Sequence, residues 1–323
     1  MISTRAQVIK KLKDKDTRSV GIVMHNKPDG DAIGSAVALE RALKAMGKKT
    51  VDIIIQDKIN ERFAPIIGQH RVNKIITPPD GRRYDVIIMV DCSDPNRTIN
   101  NLRRYAKFIV VIDHHIFNQP FGDLYLCEKA AAAGILVYKI IKTLAPITSE
   151  IANALYLSIR SDTGSFKNAN TDSKAHQITS ELLIYGADIE LINSIYDSKS
   201  LSFVRLMGTT LSDVMVDKKY KISYLVVTRD KIKAAGSIDE EVSLLIEQIR
   251  NIKGVDISYL FIEGISNTRI SGRSKITPVN KILEQFGGGG HPKAAGCAVE
   301  DSYIHDVVYK VLSATKEYID SNK

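Results

Sequence analysis

The sequence predicts an α/β protein of two domains: a parallel sheet with helices on both faces, then a smaller α/β domain. Three observations carry this. The chain has 323 residues, 44% apolar and 25% charged, a globular composition at about twice the length of one ordinary domain. Its first third alternates continuous apolar runs with segments of helical periodicity, the pattern of strands buried on both faces. Its last third opens with several strand-like runs and closes on an amphipathic helix.

The elements follow in order. SVGIVM (19–24) is a short apolar strand ending in a polar loop. Residues 32–46 carry apolar side chains at helical spacing, and Gly47 supplies the stop. TVDIII (50–55), YDVIIMVD (84–91) and KFIVVID (107–113) are further buried strands, with LRRYA before the last. AAAGILVYKIIKTL, SEIANALYLSIR and KAHQITSELLIYG are three amphipathic helices, with SDTGSF (161–166) a polar loop between the last two. YDSKSLS reads as a linker, so the expected division is 1–195, a linker at 196–205, and 206–323. In the second domain KISYLVVT, VDISYLFIEG and NTRISGRS read as strands, residues 240–250 as a helix, and VNKILEQF as a segment leading into four glycines. A final helix covers 303–319.

Composition excludes several classes. There is no run of about 18 apolar residues to span a membrane. MISTRAQVIKKLKDKD has no apolar core of a secretory leader, so the expected location is cytoplasmic. Cys92, Cys127 and Cys297 are odd in number and far apart, forming neither a disulfide framework nor a zinc pattern. The net charge of +8, concentrated in the first 190 residues, suits an anionic substrate without the basic runs of a duplex-DNA binder.

In open parallel sheets the ligand crevice lies beyond the carboxyl ends of the strands. Here three strands end in polar clusters. HNKPDGDAIGS places His25, Asp29 and Asp31 within seven residues, VDCSDP adds Asp91, and VIDHH adds Asp113, His114 and His115. SDTGSF adds Asp162. Singly, each cluster also reads as a turn or a helix cap. Jointly, carboxylates and imidazoles at several element ends suit a mixed N/O site for hard divalent ions. In the second domain, FGGGGHPKAAG offers backbone N–H groups unobstructed by side chains, with His291 and Lys293 able to pair with an anion and Arg273 a phosphate-matching fork.

Together, HNKPDGDAIGS, VDCSDP, VIDHH and SDTGSF, in that order, resemble the motifs of the DHH phosphoesterase family, and FGGGGHPKAAG resembles the glycine-rich signature of the DHH-associated C-terminal domain. The resemblance covers nearly the whole chain and is nearest to the oligoribonuclease and 3′-phosphoadenosine 5′-phosphate (pAp) phosphatase branch. It implies a catalytic domain at 1–195, a substrate-binding domain at 206–323 and a cleft between them. It implies two divalent ions, Mn²⁺ first, with Mg²⁺ or Co²⁺ as alternatives. His25, Asp29 and Asp91 would hold one ion, and Asp31, Asp91, His114 and Asp162 the other. His115 would face the substrate phosphate, with Asp113 behind it. Arg273, Ser274, Gly288, Gly289, Gly290, His291 and Lys293 would bind the nucleotide.

The implied activity is hydrolysis of single-stranded oligoribonucleotides of two to about five nucleotides, including linear dinucleotides such as pApA, and dephosphorylation of pAp to AMP. Extra nucleotides would add only modest, salt-sensitive phosphate contacts. No segment resembles an added oligonucleotide-binding barrel, which argues against a RecJ-type exonuclease. The glycine-rich C-terminus argues against a family II pyrophosphatase. A cyclic-dinucleotide-pathway phosphodiesterase stays open, as does a homo-oligomer. A non-catalytic RNA-binding module would have no need of the six ligand-type residues in the first domain.

Overall fold

The computed structural model describes residues 2–78, 81–115, 120–300 and 303–322. The chain forms two compact units, Met1–Ser198 and Lys199–Lys323. Of the residues read as a linker, only 198–200 lie outside helices. The helix Leu201–Thr210 starts inside that segment because Ser200 caps it, accepting from the Phe203 amide, and the helix Ile189–Asp197, capped by Asp188, ends in it.

In the first unit, β1 (Ser19–Val23), β2 (Thr50–Ile54), β3 (Val86–Val90), β4 (Ile109–Asp113) and β5 (Leu124–Cys127) form a parallel sheet in the order β2-β1-β3-β4-β5. Alternate residues enter two separate cores. Val20, Ile22, Ile53, Ile88 and Ile112 pack with the helices Arg5–Lys13, Gly30–Ala45, Ala133–Ile141 and Ser149–Asp162. Val23, Ile54, Ile87, Met89 and Val111 pack on the other face, covered by the short helix Leu102–Tyr105 and loops. Apolar residues must therefore run continuously along these strands, which made four of the five readable. β5 was not foreseen: it has four residues, and two of them are only half-buried.

The helix Gly30–Ala45 begins two residues before the predicted start because the Asp29 carboxylate accepts from the Asp31 and Ala32 amides. It is buried along almost its whole length, and Gly34 lets it approach the helix Ser149–Asp162 so closely that a Cβ there would stand 2.2 Å from the Ala154 carbonyl oxygen. The predicted polar loop at 161–166 is corrected at its start. Ser161 and Asp162 are the last residues of the helix, which stops at left-handed Gly164 (φ +55°).

At the opposite, amino end of the sheet, Asp85 fastens β3 to β1. Its carboxylate accepts from the Arg18 and Ser19 amides, the Ser19 hydroxyl and the Lys107 ammonium. Burial alone would raise the Asp85 pKa, but these donors hold it well below the usual carboxylate range. Asp85→Asn should destabilise the protein by about 1–3 kcal/mol at neutral pH. A depressed folded pKa stabilises above the unfolded value of about 3.9 and that contribution is lost as pH falls below it. Urea unfolding of wild type and variant should therefore converge in acid.

The second unit holds β6 (Met215–Asp217), β7 (Ile222–Val227), β8 (Ile257–Glu263), β9 (Asn267–Ser274), β10 (Gly289–His291) and β11 (Ala294–Glu300), in the order β10-β11-β9-β8-β7-β6. Only β7 and β8 run parallel. The helix Ile304–Ser321 packs Val307 and Val311 against Tyr259 and Phe261 on one face. The helix expected over 240–250 is broken into three short turns, Asp239–Val242, Ser243–Leu245 and Ile246–Ile249. No helix among the described residues is long and apolar enough to cross a membrane.

Candidate metal centre

The strand order reverses between β1 and β3, so the carboxyl ends of β1, β3 and β4 open side by side at a topological switch point. His25 follows β1, Asp91 follows β3, and β4 delivers Asp113, His114 and His115. The amino end of the helix Gly30–Ala45 contributes Asp29 and Asp31, and the carboxyl end of Ser149–Asp162 contributes Asp162.

Asp91 lies at the centre. It is buried, and its backbone is left-handed (φ +56°), a conformation Asp tolerates better than most residues. Its Oδ2 lies 3.7 Å from His25 Nε2, and its Oδ1 lies 3.4 Å from His114 Nε2 and 3.6 Å from His115 Nδ1. His114 Nε2 is also 3.2 Å from Asp162 Oδ2 and 3.6 Å from Asp31 Oδ2. Donor atoms of His25, Asp29 and Asp91 lie within 4.8 Å of one another, as do those of Asp31, His114 and Asp162, and those of Asp91, Asp113, His114 and His115.

Both buried imidazoles have their tautomer set from behind. His25 Nδ1 is 2.8 Å from the Asn26 carbonyl and His114 Nδ1 is 3.0 Å from the Ala130 carbonyl. An Nδ1–H donated to a carbonyl leaves the Nε2 lone pair free, as in metal-ligating histidines. His114 Nε2 and Asp91 Oδ1 are buried without a hydrogen-bond partner, an arrangement that native proteins rarely tolerate. A cation among these atoms would satisfy both, and carboxylate with imidazole is a donor set for Mn²⁺ or a similar ion. The residues therefore fit a divalent metal.

The electrostatics agree. Burial, with Asp91 and Asp162 nearby, pushes the Asp31 pKa well above the carboxylate range; burial and Asp91 do the same, less strongly, to Asp29. For His114, burial works against the imidazolium, but the Asp162, Asp91 and Asp31 carboxylates outweigh it and raise the pKa to about 11. Such a concentration of negative charge is stable only with cations, protons included.

Asp113 does different work. Its Oδ1 accepts from the His114 and His115 amides and from His115 Nδ1 at 2.9 Å, and its Oδ2 accepts from the Ser93 hydroxyl. It thus orients His115, whose side chain is 61% exposed with Nε2 as its remaining nitrogen. The Asp113 hydrogen bond raises the His115 pKa.

Sequence reasoning missed the residues that hold the ligands. Asp31 Oδ1 accepts from the Ser158 and Ser35 hydroxyls and the Gly134 amide, and its Oδ2 accepts from the Ala133 amide. Asn168 and Asn170 tie down the Asp162 carbonyl. The available signal was glycine inside helical patterns: a Cβ on Gly134 would lie 1.9 Å from Ser158 Oγ. Cys92 turns into the hydrophobic core beside Met89 and Leu102, its thiol donating to the Asp94 carbonyl, and burial raises its pKa to about 12.

In the second unit, strand register places Arg273, Ala294 and His291 in one row across β9, β11 and β10. Directly opposite residues share a face, so Arg273 and His291 flank a small alanine. Gly289, Gly296 and Ser271 form the next aligned row but one. The glycine run is no free loop. Gly289 and Gly290 belong to an edge strand, and a Cβ on Gly288 or Gly290 would meet backbone at 2.7 and 2.5 Å. Lys293 is exposed, and Arg273 lies 3.8 Å from Glu247. The Ser274 hydroxyl donates to the Thr277 carbonyl, within its own turn.

Comparison with known proteins matches residues 19–159 to the DHH family, N-terminal domain, and residues 217–321 to the DHHA1 domain. A protein of Thermus thermophilus described as bifunctional oligoribonuclease and PAP phosphatase NrnA is 30% identical, over 92% of this chain and 89% of its own. The protein of the same description from Bacillus subtilis is 26% identical over 90% and 91%. Among solved structures, an exopolyphosphatase-related protein from Bacteroides fragilis superposes with a TM-score of 0.85 at 25% identity, covering 97% of this chain and 96% of that one.

Proposed function

The chain belongs to the DHH family of phosphoesterases, and on that premise we propose that it hydrolyses very short single-stranded oligoribonucleotides, including linear dinucleotides, to nucleoside monophosphates, and converts pAp to AMP. The observation that carries the proposal is the pair of buried, partnerless atoms, His114 Nε2 and Asp91 Oδ1, among four carboxylates. The activities named for its relatives supply the substrate class. The cytoplasm, where RNA is degraded, would supply such substrates.

In this reading His25, Asp29 and Asp91 hold one divalent ion and Asp31, Asp91, His114 and Asp162 a second, Mn²⁺ in preference to Mg²⁺ or Co²⁺. When bound, such a pair polarises phosphoryl oxygens and lowers the pKa of water. The chain's own residues do the rest. Ser158, Ser35 and the Ala133 and Gly134 amides keep Asp31 in place. Hydrolysis breaks one P–O ester bond and leaves an oxygen that needs a proton. His115, held through Nδ1 by Asp113 and raised in pKa by it, carries a proton on Nε2 for a phosphate or leaving oxygen. The second unit grips the nucleotide through Arg273, His291, Lys293 and the backbone around Gly288–Gly290, with Ser274 supporting the turn.

The test is a rate series with Mn²⁺ on pAp, diadenylate, a five-mer and a long single strand. AMP should be released from the first two, with efficiency falling as length grows. Absence of Mn²⁺-dependent hydrolysis, or fastest cleavage of the long strand, would overturn the reading. Arg273→Ala should lower kcat/KM for diadenylate by about tenfold or more while sparing bis-p-nitrophenyl phosphate, which has no nucleotide to grip. Equal loss on both substrates would remove Arg273 from nucleotide binding.

A further inference from the structure

The amino end of the first sheet, opposite the metal centre along strands of about 17 Å, carries two adjoining concavities. One, of about 880 Å³, is lined by Ile9, Phe108 and Leu124 with Lys10 and Lys11 beside them. The Lys11 ammonium stands 4.9 Å over the Phe108 ring. The other, of about 380 Å³, is ringed by Lys13, Lys15, Arg18, Lys48 and Lys49, and no acidic residue lines it. Lys13 and Lys15 line both.

Asp14 and Asp85 offset part of this charge, both acting on Lys48. Asp14, in the first concavity, pairs with Lys11 at 3.5 Å, and Lys48 donates to the Asp14 carbonyl. Among the described residues Lys10, Lys13, Lys15, Arg18 and Lys49 have no carboxylate within ion-pair distance. Cations gathered around one small concavity repel each other, and a multiply charged anion is what relieves that repulsion. An apolar floor of Ile9, Phe108 and Leu124 alongside suits a flat π-system. The volumes are those of small-molecule sites.

We propose that this end of the first unit binds a nucleoside polyphosphate, its phosphates among Lys13, Lys15, Arg18, Lys48 and Lys49 and its base on the apolar floor of Ile9, Phe108 and Leu124. The site is separate from the metal centre, and the inference does not depend on the activity proposed above.

The test is calorimetric titration of the full chain at low ionic strength in EDTA, with ATP, inorganic tripolyphosphate, adenosine, a twelve-nucleotide RNA and vesicles containing anionic lipid as separate probes. ATP should bind one such site more tightly than tripolyphosphate or adenosine. Lys15→Glu with Lys49→Glu should weaken ATP by about tenfold or more, while the same charge change at exposed Lys253 and Lys310 should not. Phe108→Ala should weaken ATP but not tripolyphosphate, with unchanged circular-dichroism melting as the folding control. ATP binding that is absent, indifferent to Lys15 and Lys49, or no tighter than tripolyphosphate would overturn the proposal. So would preferential binding of the RNA or the vesicles, each pointing to a different partner.

Discussion

Asp91→Asn should reduce kcat/KM on diadenylate by at least about 10²–10³-fold at saturating Mn²⁺, the largest loss expected of any single substitution in this protein. Asp91 is the carboxylate that faces both buried imidazoles, with separate oxygens toward His25 and His114. In the proposed site it is the ligand common to both ions, so its loss weakens both together. Asparagine is the informative replacement. It keeps the shape and accepts the left-handed backbone at φ +56°, whereas alanine there adds about 1–2 kcal/mol of backbone strain. Circular-dichroism melting of the metal-free variant checks that the fold persists. Near-normal Mn²⁺-dependent turnover in a folded Asp91→Asn protein would sink the two-ion assignment.

The adjacent histidines should separate by phenotype. The His114 imidazole is largely covered (8% exposed) and presents Nε2 to Asp31, Asp91 and Asp162; His115 is exposed and bonded to Asp113. His114→Ala should weaken metal affinity about 10–100-fold, with activity partly restored by excess Mn²⁺. His115→Ala should leave the bound metal unchanged and lower kcat by roughly 10²-fold, with no rescue by added metal. The pH profile gives the sign. The Asp113 hydrogen bond favours the protonated ring, so the protonated His115 persists above the free imidazole value of about 6.5 and is lost as pH rises through its own raised pKa. The alkaline limb of kcat should therefore move to lower pH in Asp113→Asn. Equal loss of metal from both histidine variants, measured by atomic absorption after gel filtration, would show that the pair has been divided wrongly.

Reading the second unit from sequence was less complete, and the reasons are physical. β10 consists of two glycines and a histidine, with no apolar alternation, and becomes a strand only because β11 offers Ala294–Gly296 as a partner. β6 has three residues, two of them exposed, and exists by pairing with β7. The helical segment at 239–249 has the apolar spacing of one helix, but Val242, Leu245, Ile246 and Ile249 all enter one core through three short turns. Local pattern carries little information where pairing or packing decides the backbone.

By itself the sequence determined β1, β3 and β4, since continuous apolar runs have few stable fates besides a covered parallel sheet, and it therefore also determined that His25, Asp91 and Asp113–His115 would stand at strand ends. The tertiary structure alone decided how those ends combine. The reversal between β1 and β3 sets His25 beside Asp91, helix packing at Gly34 and Gly134 brings Asp31 and Asp162 to His114, and the carbonyls of Asn26 and Ala130 choose the imidazole tautomers. Apart from the local bond of His25 to its neighbour Asn26, these are contacts between residues whose neighbours in sequence say nothing of one another, made at separations that only close packing of the finished core can set.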